Sequence, residues 1–498
     1  MSSPTQSDLP PPGAAENTRR PGGTRHALSG VLLTLLLAWL LMGLFQAYQP
    51  LPKGLAISAP LRGGEKLQLL DDRTFVDTSG ERVSDQQIFE QILGLLAQAR
   101  QLIVMDMFLY NEFAGDASYQ PLTDDLTSAL LAARQRHPDM PIVLITDPFN
   151  TLYGGLPAPH LDRLRSAGVE VVMSDVNQLP ASNPLWSGLW HICCRHIGNS
   201  TEGGWLPNPV GEGKVTLRSY LALMNFRANH RKTLVVDEGD SWAGLVTSAN
   251  PHDASSRHSN NALLFRGAAA LDLLATEIPV MAFSAAAPAI KWPRPPLASQ
   301  NLEGPLVQVL TEGRIRDALL KLVDSSEPGD QLDMEVFYLS HRPTIEALVR
   351  ASQRGVTVRA LLDPNKDAFG RKKSGMPNRQ AGWDLHASGI AVRWCATRGE
   401  QCHRKWIRLD RADGSAEMII GSANFTRRNL DNLNLETSAR VIADRDAPIM
   451  HRARSLFERN WSNPQGDLYS QPYADFADHT RWRYWLARFM EFSGLSTF

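Results

Sequence analysis

Neither sign of charge is in excess in this 498-residue chain: 51 lysines and arginines stand against 52 aspartates and glutamates, a formal net charge of −1. No global field recruits nucleic acid, although a local basic cleft stays open. Cysteine is scarce, four residues in all, which excludes a disulfide scaffold. Cys395 and Cys402 are near enough in sequence to bridge in an oxidising compartment. Pairing of the adjacent Cys193 and Cys194 would be strained, and four small buried thiols is the equally weighted alternative. No cysteine–histidine spacing resembles a zinc site. What the chain does have is 43% hydrophobic residues and a length that allows two to four domains of ~100–200 residues.

Residues 1–26 open with a Pro-, Ser-, Gly- and Thr-rich stretch and read as a disordered arm. The run "ALSGVLLTLLLAWLLMGLFQAY", 27–48, carries no charge. At ~1.5 Å per residue it spans a hydrocarbon core of ~30 Å. It is longer than the apolar region of a signal peptide and is followed by no small-x-small site, so it reads as an uncleaved anchor, with a cleaved signal as the alternative. Arg19, Arg20 and Arg25 precede it, and only Lys53 and Arg62 follow closely. The positive-inside bias places the arm in the cytoplasm and the body outside, the periplasm if the source is a bacterium.

Past the anchor the chain is written twice. "LIVMDMFLY" (102–110) answers to "LDMEVFYLS" (332–340), and a helical stretch follows each. "IVLITDPFN" (142–150) and "TVRALLDPNK" (357–366) both run into Asp-Pro, and "HLDRLRSAGVEVVM" (160–173) matches "WDLHASGIAVRWC" (383–395). Repeated strand–helix–strand order argues for α/β units with largely parallel sheets, in two halves meeting along one seam.

Each half closes on the same polar frame. "NHRKTLVVD" holds His230, Lys232 and Asp237; "CHRKWIRLD" holds His403, Lys405 and Asp410. On a strand, His and Lys two apart share a face, and Asp, seven after His, falls on the other, in a supporting role. "TSAN" and "GSAN" follow, with Ser248, Asn250, Ser422 and Asn424. A hairpin return brings each Asn back beside its His. Lysine ammoniums and asparagine amides suit phosphoryl oxygens. One imidazole can attack phosphorus while the other protonates the departing alcohol and then activates the acceptor. A dication between the histidines fits badly, because lysine shares their face and no carboxylate does. Polar groups retained twice on a buried side are costly unless used.

His-x-Lys-x4-Asp followed by Gly/Thr-Ser-Ala-Asn, present twice, resembles the phospholipase D superfamily over roughly residues 66–465, and within it the bacterial cardiolipin synthases and related phosphatidyltransferases. The resemblance implies an α/β fold of two similar halves, each a mixed sheet flanked by helices, with the active site at a pseudo-twofold seam. It implies catalysis without metal or other cofactor through a phosphohistidine, with His230 as nucleophile and His403 as general acid/base. Lys232, Lys405, Asn250 and Asn424 would hold phosphoryl oxygens. Family members often carry an acid after each Asn that pairs with a motif histidine; Glu436 fits in the second half, while the first has Asn260 and Asn261 there, and Thr247 replaces the usual Gly.

The implied organisation is an arm (1–26), an anchor (27–48), a first half (66–286), a Pro-rich linker (287–305), a second half (306–465) and a C-terminal amphipathic segment (466–498). The implied partner is glycerophospholipid, phosphatidylglycerol favoured, at a membrane and not nucleic acid. A hydrolase releasing phosphatidic acid and a nuclease-like phosphodiesterase are the alternatives. Trp186, Trp190 and Trp205, among Gly and Pro, suggest a loop at the lipid interface, or equally one with its own small core. Trp482, Trp485, Phe489 and Phe492 share a helical face beside Arg481, Arg483 and Arg488, to lie on anionic lipid or, more commonly, to dock on the protein. The charged loop 363–380 is a solvated run or, near the seam, a contact for lipid phosphate.

Overall fold

The apolar run Ile103–Met107 and its neighbour Ile142–Thr146 are buried at every position, as strands covered on both faces must be. They are central to a seven-stranded sheet in the computed structural model, which describes residues 22–64, 66–113, 119–286, 288–297, 302–368, 371–496 and 498. The expected arm lies outside the described residues as far as residue 21, as do positions 287 and 298–301 of the expected linker. Across the sheet the order is Gln68–Asp71, Asn261–Arg266, Ser241–Thr247, Lys232–Glu238, Ile103–Met107, Ile142–Thr146 and Glu170–Met173.

The second sheet repeats this pattern with nine strands. Its centre runs Thr437–Asp444, Ser415–Gly421, Lys405–Asp410, Gln331–Val336, Thr357–Leu362 and Ala391–Cys395. Both sheets are mixed rather than largely parallel. Pairing is parallel only where a helix crosses between strands, as from Ile103–Met107 to Ile142–Thr146 and from Gln331–Val336 to Thr357–Leu362. The motif strands pair antiparallel with their neighbours because each returns through a tight hairpin, Lys232–Glu238 onto Ser241–Thr247 and Lys405–Asp410 onto Ser415–Gly421.

One apolar layer joins the sheets. Val235, Val246, Leu263 and Phe265 from the first interleave with Trp406, Met418, Ile420 and Val441 from the second. The outer faces are covered by helices: Ile92, Leu96, Leu126 and Leu130 on the first sheet, Leu319, Leu322, Ile345 and Leu348 on the second. The arginine inside each motif crosses this seam. Arg231 is fully buried between Glu277 and, at 2.6 Å, Glu312 of the second half; Arg404 bonds Glu335 and reaches Asp71 of the first half, both at 2.8 Å. An arginine held between two carboxylates is the form in which a buried charge is tolerated.

Helix α1, Gly22–Tyr48, includes a stretch, His26–Tyr48, long and apolar enough to cross a membrane and almost wholly exposed. Its last turns rest on helix α2, Pro184–Cys193, which Asn183 caps and Pro184 begins. The two helices touch backbone to backbone: a Cβ on Gly188 would stand 2.7 Å from the Gly43 nitrogen. Trp39 Nε1 donates to the Leu185 carbonyl at 2.7 Å, the Ala181 N–H to the Gln46 carbonyl at 2.8 Å, and Arg227 Nη2 to Gln46 Oε1 at 2.7 Å. Helix α3, Arg481–Ser493, lies against the second half through Ala487 and Glu491, and Glu491 accepts from the Arg427 N–H at 2.7 Å.

Candidate active site

His230 and His403 each stand at the mouth of their motif strand, and the other half holds each by its backbone. The His230 N–H donates to the Leu435 carbonyl at 2.9 Å and the His403 N–H to the Ser259 carbonyl at 2.7 Å. The residues after those carbonyls take the side chains. His230 Nδ1 meets Glu436 Oε1 at 2.8 Å, and His403 Nδ1 meets Asn260 Oδ1 at 3.1 Å. A serine secures each partner: Ser422 Oγ donates to Glu436 Oε2, and Ser248 Oγ to Asn260 Oδ1 at 3.1 Å. The orienting groups are therefore crossed between halves, and they differ, a carboxylate for His230 and a neutral amide for His403. Because a carboxylate accepts only, Nδ1 of His230 carries the proton and Nε2 keeps its lone pair.

Each imidazole rests on a phenylalanine of its own half, Phe108 at 4.7 Å from His230 and Phe337 at 4.8 Å from His403, ring centre to ring centre. Lys232 and Lys405 are buried behind them. Each ammonium donates to the carbonyl of its own motif histidine, at 2.7 and 2.6 Å, and lies 5.0 and 5.2 Å from the same phenylalanine.

The Asp-Pro turns have a part that spacing did not disclose. Asp147 Oδ2 accepts from the Asn229 N–H at 2.7 Å, and Asp363 Oδ2 from the Cys402 N–H at 2.8 Å, so each carboxylate fixes the peptide just before a motif histidine. The asparagines that follow, Asn150 and Asn365, donate to the carbonyls of Phe108 and Phe337 at 2.8 and 3.0 Å, under the imidazoles. The signal was available as Asp-Pro followed by Asn, present twice. Asn229 is in turn bonded to Asp106 and to Ser174 Oγ at 2.9 Å, while Cys402, in the corresponding place, forms a disulfide with Cys395. The structure bonds Cys193 to Cys194 as well, a pairing that sequence alone set apart as strained. Glu335, Cys395 and Cys402 lie within reach of a common ion, but the disulfide leaves no thiolate to bind one.

Asp237 and Asp410 stand apart from the histidines. Asp237 gathers the N–H groups of Arg100, Gln101 and Leu102 at 2.8–3.1 Å, at the far end of its strand. Asp410 binds Arg454 at 3.0 Å on the helix Pro448–Ser462 and Arg408 at 3.3 Å. The three loop tryptophans separate. Trp205 is 64% exposed, whereas Trp190 is buried with Arg218 stacked 3.9 Å over it, which corrects its expected place at a lipid surface. Trp186 is half-buried, its Nε1 donating to the Leu221 carbonyl at 2.9 Å, and Leu185, Leu189 and Ile192 form the exposed face of α2 instead.

His230, His403, Asn250 and Asn424 open together on one cavity of about 590 Å³. Its remaining walls are mostly apolar, including Phe149, Leu223, Phe226 and Tyr338, and Arg227, Lys372, Lys373 and Arg428 provide cations. Asn424 Oδ1 is buried with no hydrogen-bond partner among the described residues. Burial pushes the His230 imidazole down to about 4, with the charge of Glu436 opposing it. Burial, then the charge of Lys405, hold His403 well below the usual histidine range. Burial lowers the Lys232 ammonium to about 7, and burial with the neighbouring Lys232 lowers Lys405 well below its usual value. Burial pushes all four groups toward their neutral forms, and an entering anion would stabilise their charged ones.

Residues 319–461 match the family described as cardiolipin synthase, PLD-like domain. Phosphatidylserine synthase of Haemophilus influenzae Rd KW20 shares the fold, with a TM-score of 0.55 at 11% identity over 87% of this chain and 94% of that one. Polyphosphate kinase of Porphyromonas gingivalis aligns at a TM-score of 0.41 and 13% identity over 79% of this chain, which spans 50% of the kinase. Nuc of Salmonella typhimurium, a phospholipase D family member, aligns over 34% of this chain at 25% identity and a TM-score of 0.26. The last two likenesses are too low to bear on the argument. No curated protein sequence matches the chain. The matched domain, the shared fold and the paired motifs at one cavity agree: residues 319–461 are a PLD-like domain of the cardiolipin synthase type, within a chain that has the fold of the phosphatidylserine synthase.

Proposed function

We propose that this chain is a membrane-anchored phosphatidyltransferase, cardiolipin synthase-like, acting on glycerophospholipids. The observation that carries the reading is the common cavity: both motif histidines face it, and its other walls are apolar with cations among them, as a phosphate carried by acyl chains requires. The exposed apolar stretch His26–Tyr48 of α1 supplies the anchor, and Arg19, Arg20 and Arg25 before that stretch favour the body on the non-cytoplasmic side.

In the first step the Nε2 lone pair of His230 attacks phosphorus while Glu436 holds the Nδ1 proton. The bond from phosphorus to the head-group oxygen breaks, and that oxygen takes the Nε2 proton of His403, an imidazolium once the phosphate's charge is in the cavity, with Nδ1 donating to Asn260. In the second, an acceptor hydroxyl gives its proton to His403 and attacks phosphorus, the P–N bond breaks and His230 is free again. Lys232, Lys405, Asn250 and Asn424 neutralise and orient the non-bridging oxygens.

Detergent-solubilised enzyme with labelled phosphatidylglycerol tests this, with His230→Ala as control. Cardiolipin and glycerol are the expected products. Phosphatidic acid alone would make the protein a hydrolase. No lipid product, with cleavage of DNA or RNA, would replace the reading with a nucleic-acid phosphodiesterase.

A further inference from the structure

A membrane-spanning helix has to clear the hydrocarbon along its whole apolar length, and α1 does not clear its own body. Residues 26–38 are all exposed, but from Trp39 onward the helix rests on α2. The free part is about 20 Å long at ~1.5 Å per residue, against a hydrocarbon core of ~30 Å. If α1 spans the bilayer, the flank of the body beside its last turns lies in the membrane as well. That flank is apolar: Leu185, Leu189 and Ile192 of α2 are exposed there.

The C-terminal helix continues this surface. Just past the end of α3, Gly494 abuts Ser182 and Asn183, immediately ahead of α2, so closely that no Cβ would fit. Trp482, Trp485, Phe489 and Phe492 are all turned outward, Phe492 82% exposed, while the opposite face docks. So many large apolar side chains on one helix are far more than a solvent-facing helix carries. A groove of about 420 Å³ runs under them, where Trp485, Phe489 and Phe492 face Arg427 and Arg488; its two acids are engaged, Asp431 by Arg316 at 2.8 Å and Glu491 by the Arg427 N–H at 2.7 Å. Aromatic rings beside arginines are the composition of a helix lying at the headgroup level of an anionic bilayer.

We infer that α3 is a second membrane contact, an interfacial helix that binds anionic lipid and, with α2 and the base of α1, seats the body on the bilayer. The inference rests on the anchor reading for its direction but not on the chemistry of the active site. The seat also orients the cavity. Arg227 lines it and bonds Gln46 at the base of α1, Leu223 and Phe226 line it beside exposed Met224, and Phe498 closes it beyond the end of α3.

The test uses the full chain reconstituted into phosphatidylglycerol vesicles with and without brominated acyl chains. Trp482→Phe/Trp485→Phe keeps the apolar face but removes its two indoles, so wild type minus variant isolates their fluorescence. That difference signal should lose most of its intensity in brominated lipid and resist iodide. Quenching by iodide with indifference to brominated lipid would overturn the proposal. Weaker quenching in brominated phosphatidylcholine is expected; equal quenching would overturn the part given to the arginines. Trp485→Ser/Phe489→Ser should slow turnover several-fold on vesicles and leave it unchanged in detergent micelles, and equal turnover on vesicles would count against the seat. Alkaline extraction of the wild type checks the anchor separately: release would remove the span, while the quenching would still judge α3.

Discussion

Glu436, from the second half of the chain, holds Nδ1 of His230, from the first, at 2.8 Å. Its counterpart Asn260 holds His403 with an amide oxygen. A carboxylate stabilises the imidazolium that forms when its histidine bonds to phosphorus, and an amide does so less. On the proposed mechanism the asymmetry favours attack by His230 and proton transfer by His403.

Acid-quenched enzyme with a labelled p-nitrophenyl phosphatidyl ester, whose leaving group needs no proton, should therefore retain label in His403→Asn, where the intermediate forms and stalls. It should retain none in His230→Asn. Glu436→Gln should lower kcat by ~10²–10⁴ through the lost tautomer and charge, and Asn260→Ala by less. Label trapped in His230→Asn would exchange the two roles.

The pH profile of kcat/KM should be bell-shaped. His230 attacks only when neutral, so the acid limb falls as pH drops through about 4, where it gains a proton. On the alkaline side two protons are needed, the one His403 gives to the departing alcohol and the one that keeps Lys232 charged, and Lys232 loses its own as pH rises through about 7. Lys232→Arg stays charged throughout and should lose the step near 7, leaving the fall set by His403. Persistence of that step in the variant would assign it to another group.

Gly421 and Thr247 head equivalent turns but tolerate opposite changes. A Cβ on Gly421 would meet the Thr437 carbonyl at 2.4 Å and Ser438 Cα at 2.5 Å, so Gly421→Ala should cost ~1–3 kcal/mol, read as a fall in Tm. Thr247 Oγ1 instead donates to the Asn261 carbonyl at 2.9 Å and accepts from the Ala249 N–H at 3.0 Å. Thr247→Gly should cost only ~1 kcal/mol per lost bond. An unchanged Tm in Gly421→Ala would mean that the turn opens freely.

Arg231→Met should leave Glu277 and Glu312 facing each other without a cation, at ~3–5 kcal/mol in denaturant unfolding. Adding Glu277→Gln and Glu312→Gln should recover much of that. If the single variant unfolds at the same denaturant concentration as wild type, the pair does not hold the seam.

The motifs were legible because their chemistry is local. His, Lys and Asn sit at spacings that one hairpin closes, and the hairpin from Lys232–Glu238 to Ser241–Thr247 closes it. Which carboxylate serves which histidine was not legible, since Glu436 lies 206 positions from His230 and only the crossing of the halves joins them. The same holds for Asp147, whose bond to the Asn229 N–H uses a backbone group that carries no sequence identity. Strand–helix–strand order suggested parallel sheets because the crossovers dominate the pattern, while the hairpins that carry the motifs are short and run the other way. Trp190 was misplaced because a ten-residue helix rich in apolar residues does not declare which side faces inward.

The loss of one carboxylate at Asn260 has a further consequence. Two identical halves could accept a phosphodiester in either of two opposed poses, and each histidine could serve as attacker. With unequal partners the site has a direction. On the proposed mechanism the departing alcohol always leaves from the side of His403, and the incoming alcohol must arrive from that same side, where the proton waits. Donor and acceptor thus take turns at a single doorway, and the kinetics should be ping-pong, with the first product gone before the second substrate can enter.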